Sequence, residues 1–311
     1  MFSTLLGALP TDPARPIHAG DEGEAWLDDV AALDATGLEL ISDGGEPADP
    51  TDASATVVAR WVSASTASSG PVKAVLLGPF SAARSAARSP GGAPRMSEDE
   101  LAEQLRPTIA ALAAAGCALV EIAEPDAAAI ATDPSAAATF ASAHARLIDG
   151  SEGIHASLAL PAGNLDGVPP AVLFDLAYAS YAFDLIGGPD NWRLIVQAPT
   201  DRGIVCGAQG LLAGTDTNRE VLVWAAHYAA STNGRGLARV GLANAPLAAS
   251  DPPPSRSEVL RRLAIVAEAS RIAAVESGEE MSRLLDPRAV DIRSAAMGRY
   301  APASRRARPR R

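Results

Sequence analysis

Two segments of the chain, Gly153-Ile-His-Ala-Ser-Leu-Ala-Leu-Pro-Ala-Gly-Asn164 and Asp201-Arg-Gly-Ile-Val-Cys-Gly207, decide the prediction of its fold. Each is a short apolar run that leads into a loop with glycine. Such runs are typical of strands that are buried on both faces of a parallel sheet. The two segments also contain His155 and Cys206, the histidine and the cysteine whose positions most suggest chemistry.

The same pattern recurs along the chain, where apolar runs alternate with sequence of helical spacing. Strands are predicted at 2–9, 37–42, 72–80, 117–125, 154–160, 182–186, 203–206 and 237–242. Helices are predicted at 21–36, 97–115, 134–148, 170–181, 218–232 and 257–277, with a weaker helical signal at 57–63 and a loop at 81–95.

This alternation predicts a single (β/α)8 TIM barrel in the α/β class. A doubly wound open sheet is the alternative, but eight strand–helix units within about 270 residues favour closure of the sheet. We assign residues 1–300 to the barrel domain. Residues 301–311, which include Arg305-Arg-Ala-Arg-Pro-Arg-Arg311, are predicted to form a basic disordered tail.

The composition narrows the class of partner. The chain has 311 residues and a formal net charge of −11, which argues against nucleic acid or an anionic membrane as partner, since both require a basic surface. No apolar run reaches the 18 residues that indicate a membrane-spanning helix. The start, Met1-Phe-Ser-Thr-Leu-Leu6, lacks the features of a signal peptide, and two distant cysteines fit a reduced protein. We therefore predict a cytoplasmic protein.

Polar residues near the carboxyl ends of the predicted strands form the candidate site, because these ends converge on one mouth of a TIM barrel. These residues are Asp43, Glu46, Glu124, His155, Ser157, Asn164, Cys206, Gln209 and Asn244. Trp192, in the segment Gly187-Gly-Pro-Asp-Asn-Trp-Arg193, is predicted to cover a substrate, with packing beneath the loop as the alternative.

Three of these residues, His155, Cys206 and Glu124, are candidates for catalysis, and Glu46 is a candidate for substrate binding. His155 has the chemistry of a metal ligand or a general base, and Cys206 that of a soft zinc ligand or a nucleophile. Glu124 and Glu46 each precede a proline, and two carboxylates at one mouth suit acid–base work or binding of an amine. The alternatives are a packed interior histidine, a small buried cysteine and carboxylates that hydrogen-bond at the barrel rim.

Two further charged residues receive structural interpretations. Glu121 lies three residues before Glu124, so its side chain is predicted on the opposite side of the strand, paired with a helix. Lys73 is the only lysine of the chain and the only residue that Schiff-base chemistry could use. Its place at the head of a strand predicts a surface position instead.

Several segments resemble the cobalamin-independent methionine synthase family, in particular its catalytic barrel of the methionine synthase and uroporphyrinogen decarboxylase type. They occur in the family's order and are Leu5-Leu-Gly-Ala-Leu-Pro10, Gly44-Gly-Glu-Pro47, Val120-Glu-Ile-Ala-Glu-Pro125 and Ile154-His-Ala-Ser157. The resemblance implies a methyltransferase of methionine biosynthesis, in which zinc activates the thiol of homocysteine for attack on a folate methyl group. It also implies a small-molecule partner, a thiol or an amino acid, bound by Glu46 with Gly7, Asp43, Asn164, Trp192 and Asn244 around it.

The zinc-binding pattern of the family is incomplete in this sequence. The family's His-x-Cys pair corresponds to His155 and Ser157, and no cysteine occurs near Asn244, where the family has its last one. The resemblance implies a zinc site rebuilt around His155 and Cys206, if zinc is used. The Asp of the family's Ile-Asp-Glu-Pro motif corresponds to Ala123.

Three functional hypotheses follow. The first is a divergent alkyl- or methyltransferase that acts on a thiol-type substrate. The second is a metal-free lyase or hydrolase that uses His155 with Glu124 or Glu46 as acid and base. The third is a non-catalytic binding protein that keeps the scaffold, since a fold alone does not fix a function.

Overall fold

A computed structural model describes residues 1–9, 22–88, 96–151, 153–160, 163–212, 214–215, 217–246 and 254–285. The predicted basic tail at 301–311 lies outside these ranges. So does the end of the predicted domain, from 286 to 300.

The described residues form eight parallel strands arranged in the order β1-β8-β7-β6-β5-β4-β3-β2. The strands are β1 Phe2–Thr4, β2 Ile41–Ser42, β3 Val72–Leu77, β4 Leu119–Ala123, β5 His155–Leu160, β6 Ser180–Asp184, β7 Gly203–Gln209 and β8 Val240–Asn244. A parallel bridge between Thr4 and Leu40 joins β1 to the residues that precede β2, so the sheet closes on itself. The prediction of a (β/α)8 barrel is confirmed.

Helices cover the outside of this barrel. They are α1 Glu22–Asp34, α2 Ser54–Ala67, α3 Pro79–Arg88, α4 Glu98–Ala114, α5 Pro134–Ile148, α6 Pro170–Phe174, α7 Trp192–Gln197, α8 Arg219–Ser231, α9 Arg256–Ala273 and α10 Gly278–Leu284. None of these helices combines the length and the apolar character that crossing a bilayer requires.

Local sequence explains how several helices begin. Ser97 and Glu100 form a capping box at the start of α4, in which each side chain binds the other residue's backbone N–H. Asp133 caps α5 and Asn218 caps α8 through their side-chain oxygens.

The prediction of a loop at 81–95 is wrong for residues 81–88, because α3 occupies residues 79–88, and residues 89–95 lie outside the described ranges. The predicted helix at 170–181 is also too long, since α6 ends at Phe174. Proline at the head of α3 suits a first helical turn. The cap of α3 comes from Glu124, which is distant in the sequence.

Two apolar clusters lie on the two sides of the sheet. The larger cluster fills the space between strands and helices, and includes Leu76, Ile122, Leu158 and Cys206. The smaller cluster consists of inward-facing residues of the barrel, all fully or nearly buried: Leu6, Ala159, Ala182, Val205 and Ala243, with Phe2 packed against them. Alternation along each strand therefore decides which polar side chains enter the barrel.

Candidate active site

Asp43 is a buried carboxylate directly after β2. Its Oδ2 accepts a hydrogen bond from Nε of Arg60 on α2 at 3.0 Å and lies 2.9 Å from Nη2 of the same guanidinium. Its Oδ1 has no hydrogen-bond partner among the described residues. Burial raises the pKa of Asp43 to about 6, although Arg60 acts to lower it. Because Ile41 belongs to the outer cluster and side chains alternate along a strand, the Asp43 side chain faces α2 on the outside of the barrel.

The neighbouring Glu46 is exposed to solvent. Its backbone carbonyl accepts a hydrogen bond of 3.1 Å from Nη1 of Arg60, so Arg60 ties the loop after β2 to the Asp43 carboxylate. The structure thus brings Asp43 and Glu46, two of the predicted site residues, close together on the loop between β2 and α2.

Two other polar residues are the last residues of their strands and lie at the carboxyl-terminal mouth of the barrel. Asp184, the last residue of β6, is buried, and its Oδ1 accepts hydrogen bonds from the backbone N–H groups of Ile186 and Gly187. Burial raises the pKa of Asp184 to about 6 in spite of these bonds. Gln209, the last residue of β7, is also buried, and its Oε1 has no hydrogen-bond partner within the described ranges.

Asn244 and Gly7 shape the mouth where β8 meets the segment after β1. The Asn244 amide accepts from the backbone N–H of Leu6 and donates to its carbonyl, both at 2.9 Å. Gly7 has a φ of +81°, a conformation that suits glycine. The side chain of Asn244 therefore holds the backbone of the barrel.

Glu124 lies outside the barrel in a buried hydrogen-bond network. Its Oε1 accepts from the backbone N–H of Phe80 at 3.1 Å and its Oε2 from that of Ser81 at 2.7 Å, so the carboxylate caps α3. The Nε2 atom of His144 on α5 lies 2.9 Å from Oε1, and the Nδ1 atom of His144 lies 2.7 Å from the hydroxyl of Tyr178. Glu124 is fully buried and both its oxygens are bonded.

His155 begins β5, so it lies at the amino-terminal end of the barrel and not at the mouth, where we predicted it. Its side chain is exposed, and its Nε2 atom is 2.8 Å from the Ser180 hydroxyl at the start of β6. The preceding residue, Ile154, lines a groove of about 480 Å³ beside α4 and the end of α5. The predicted strand at 154–160 agrees with β5, but His155 is the first residue of that strand and so lies at the opposite end from the mouth.

Cys206 faces the outer core. It is fully buried, and its Sγ atom lies 4.0 Å from the backbone carbonyl of Ala225 on α8. Burial raises the pKa of its thiol to about 12. A protonated thiol in an apolar layer has the character of a small hydrophobic side chain.

The residues present do not fit a zinc ion held by His155 and Cys206. His155 hydrogen-bonds at one end of the barrel, whereas the Cys206 sulfur points into the layer between β7 and α8. Across the described part of the chain, no group of three or more His, Cys, Asp and Glu side chains is arranged to hold a metal. Ser157 and Ala245 add no soft ligand near the positions of the family's cysteines.

Two predicted substrate-binding residues are also accounted for by local contacts. Trp192 is fully buried in α7 and packs against Trp224 and Tyr228 of α8, with ring centroids 5.4 and 5.3 Å away. It therefore packs beneath the loop, which was the alternative interpretation. The exposed Asn164 donates to Asp190 Oδ2 at 3.1 Å.

A buried ion pair lies inside the barrel. The Nζ atom of Lys73 lies 2.5 Å from Oε2 of Glu121 and donates a bond of 2.6 Å to the carbonyl of Leu5. Both side chains are almost completely buried. The predictions of a surface position for Lys73 and a helix partner for Glu121 are therefore wrong. The offset of three residues does separate Glu121 from Glu124, but Glu121 is the one that points inward.

No protein-family model matches the chain, and no curated protein matches it. Solved structures do. The B12-independent methionine synthase from Shewanella sp. W3-18-1, in complex with selenomethionine, superposes with a TM-score of 0.68 at 13% identity, over 86% of this chain and 97% of that one.

Two other structures are similar. The putative vitamin-B12 independent methionine synthase from Listeria monocytogenes gives a TM-score of 0.62 at 16% identity, over 89% of this chain and 98% of that one. A methyltransferase from Methanosarcina mazei gives a TM-score of 0.50 at 13% identity, over 80% of this chain and 85% of that one. At these identities the shared property is the fold, so this chain is a barrel of the methionine synthase type in architecture.

Proposed function

We propose that this barrel binds a small molecule with an amine and a thiol at its carboxyl-terminal mouth. It then transfers a methyl or other alkyl group to the thiol of that molecule. The observation that carries the proposal is an unsatisfied acceptor at the mouth. Gln209 Oε1 is buried without a donor among the described residues, and a buried acceptor without a donor costs about 1–3 kcal/mol. A ligand with N–H donors relieves that cost.

The reaction class is supported by the fold, which this chain shares with two methionine synthase structures over almost their full lengths. In an alkyl transfer of this kind, the acceptor sulfur attacks the alkyl carbon, and the donor leaves with the electron pair of the bond that breaks. The thiol proton passes to a base, and the departing donor atom takes up a proton. A carboxylate that titrates near neutral pH suits removal of the thiol proton. Asp184 has a pKa of about 6 and ends β6 at the mouth.

Zinc is not part of this proposal, because the donor set does not fit it. The acid–base hypothesis with His155 and Glu124 also lacks support. Glu124 is fully buried among α3 and α5, and His155 lies at the other end of the strand that follows. One observation favours the third hypothesis, a non-catalytic binding protein. Ala123 stands where the family has an aspartate, so the mouth has lost one carboxylate.

Calorimetry with the purified chain tests the binding step. L-homocysteine and L-methionine are expected to bind, whereas 4-mercaptobutyrate, the thiol without the amino group, is expected to bind at least about tenfold more weakly, the effect of one lost charged hydrogen bond. The variant Glu46→Gln is expected to weaken the binding of the two amino acids but not the binding of 4-mercaptobutyrate. Glu103→Gln, on the exposed face of α4, is the matched variant and should change nothing.

A second measurement separates the transferase from the binding protein. The chain is incubated with homocysteine and methyl-labelled folate, and labelled methionine is measured by mass spectrometry. Labelled product lost in Asp184→Asn, with folding intact, supports the transferase. Amino-acid binding without product from folate or from a simple methyl thioether supports the binding protein. Failure of every amine-bearing thiol to bind overturns the proposal.

A further inference from the structure

The ion pair of Lys73 and Glu121 is an unusual feature of the barrel interior. Lys73 is the second residue of β3 and Glu121 the third residue of β4, and both point inward. Their side chains are 1% and 3% exposed. The Oε1 atom of Glu121 is buried and has no hydrogen-bond partner in the described part of the chain.

Stability does not explain this pair. Removing two charges from water costs several kcal/mol for each ion, and apolar residues of the same volume are often as stable in such a position. The unsatisfied Oε1 atom adds the cost of a buried acceptor without a donor. Several other interior positions hold small or apolar side chains, including Leu6, Ala159 and Val205, which shows that this chain can pack positions inside the barrel without charge.

The position of the ammonium group indicates where a reactant could approach it. Lys73 Nζ is bonded to the carbonyl of Leu5, the residue directly after β1. Nζ therefore lies at the level where the chain leaves β1 for the carboxyl-terminal mouth. The Glu121 carboxylate is in direct contact with it, and that carboxylate has a second oxygen free of bonds from described residues.

We infer that Lys73 is an amine nucleophile that forms an imine with small aldehydes or 2-oxo acids entering from the mouth. Glu121 first takes a proton from the Lys73 ammonium. The neutral amine then adds to the carbonyl carbon, and the resulting hydroxyl group leaves as water with the proton that Glu121 returns. The nitrogen keeps a bond to the former carbonyl carbon, so one carbonyl compound is consumed and one water is released for each imine.

This inference does not depend on the proposed alkyl transfer. It rests on the interior pair, whereas the alkyl transfer rests on Asp184 and Gln209 at the mouth. A carbonyl compound is also chemically distinct from an amine-bearing thiol, so the two experiments can fail independently.

Reductive trapping tests the inference. The native chain is treated with propanal or pyruvate in the presence of sodium cyanoborohydride, which reduces an imine to a stable secondary amine. The added mass is located by digestion with a glutamate-specific protease, which separates Lys73 from the amino terminus. Lys73 is the only lysine in the sequence, so the same chain in urea supplies the rate for an ordinary exposed lysine.

The expected result is trapping at Lys73 at least about tenfold faster in the native chain than in urea at pH 7. The native rate should also stay nearly constant between pH 6 and 8, because proton transfer within the pair leaves the total charge unchanged. The rate in urea should rise about tenfold per pH unit, as a free lysine with a pKa near 10.4 does.

Lys73→Arg keeps the ion pair and should leave only label at the amino terminus. Native trapping at Lys73 that is no faster than trapping in urea overturns the inference. A native rate that rises with pH as steeply as the rate in urea overturns the part assigned to Glu121.

Discussion

The Glu124 carboxylate is joined to the imidazole of His144 across 2.9 Å, between the end of β4 and the middle of α5. The same carboxylate caps α3 through the N–H groups of Phe80 and Ser81. One buried side chain therefore connects a strand and two helices. A residue that the sequence offers as a catalytic acid is, in this structure, part of the framework of the barrel.

Replacement of Glu124 by Gln is expected to destabilise the fold. An amide has one acceptor oxygen, so its NH2 group must face a backbone N–H of α3 or the histidine, and a buried donor is left without an acceptor. We expect a loss of about 2–4 kcal/mol in the free energy of unfolding. Urea unfolding followed by circular dichroism measures it.

The matched control is Glu103→Gln, because Glu103 is a half-exposed residue of α4 that pairs with Arg106 at the surface. Its unfolding should be close to that of the wild type. Equal midpoints for Glu124→Gln and Glu103→Gln would contradict the role assigned to Glu124.

Gly78 makes room for the same carboxylate. A Cβ atom at this position would lie 2.0 Å from Glu124 Oε1 and 2.3 Å from its Cδ. Gly78→Ala is therefore expected to cost about 3 kcal/mol by forcing the buried network apart. The comparison variant is Gly70→Ala, where a Cβ would meet no atom within 4 Å. A Gly78→Ala protein as stable as Gly70→Ala would show that the network can move without cost.

The sequence predicted the barrel because each buried strand carries its own continuous apolar run, which needs no knowledge of neighbouring elements. The sequence did not predict α3, because the signals for this helix depend on residues elsewhere in the chain. The residues of Pro79–Arg88 include no apolar stripe of the usual length, and the cap of the helix is Glu124, which is more than 30 residues away. Tertiary contacts of this kind leave no local signal.

The candidate site was predicted only in part, for a reason of geometry. Alternation gives the relative faces of Glu121 and Glu124 but not which face enters the barrel, since strands covered on both sides are apolar on both. The same ambiguity led to Cys206 being assigned to the mouth, whereas it faces α8. Asp184 could have been found, because it is the one acidic residue of its run and glycines follow it.

The two cysteines are expected to be unreactive in the folded chain. Cys117 and Cys206 are both buried, and burial raises the pKa of each thiol, that of Cys206 to about 12. The thiolate is the reactive form, so a disulfide reagent such as Ellman's reagent at pH 7 should label almost no thiol in the native state. Two thiols per chain should react in urea. Rapid native labelling of Cys206 would restore it as a candidate nucleophile or ligand.

The raised pKa of Asp184 predicts how its replacement changes stability with pH. In the folded chain the group titrates near 6, and in the unfolded chain near 4, so the folded state binds more protons between these values. The stability that protonation of Asp184 provides is therefore complete below pH 4 and is lost as the pH rises through 6. In the Asp184→Asn variant the side chain cannot ionise, so the variant does not lose stability in this way as the pH rises.

We expect Asp184→Asn to gain stability relative to the wild type between pH 4 and pH 7, by up to about 3 kcal/mol for a shift of about two pKa units. Urea unfolding of both proteins at several pH values gives this difference, and other carboxylates cancel in the comparison. Asp149→Asn is the control, since the Asp149 side chain is 81% exposed and should give a flat difference. An Asp184→Asn difference that is equally flat would mean that the pKa of Asp184 is the same in the folded and the unfolded chain, and Asp184 would then be only a weak base for the thiol proton at neutral pH.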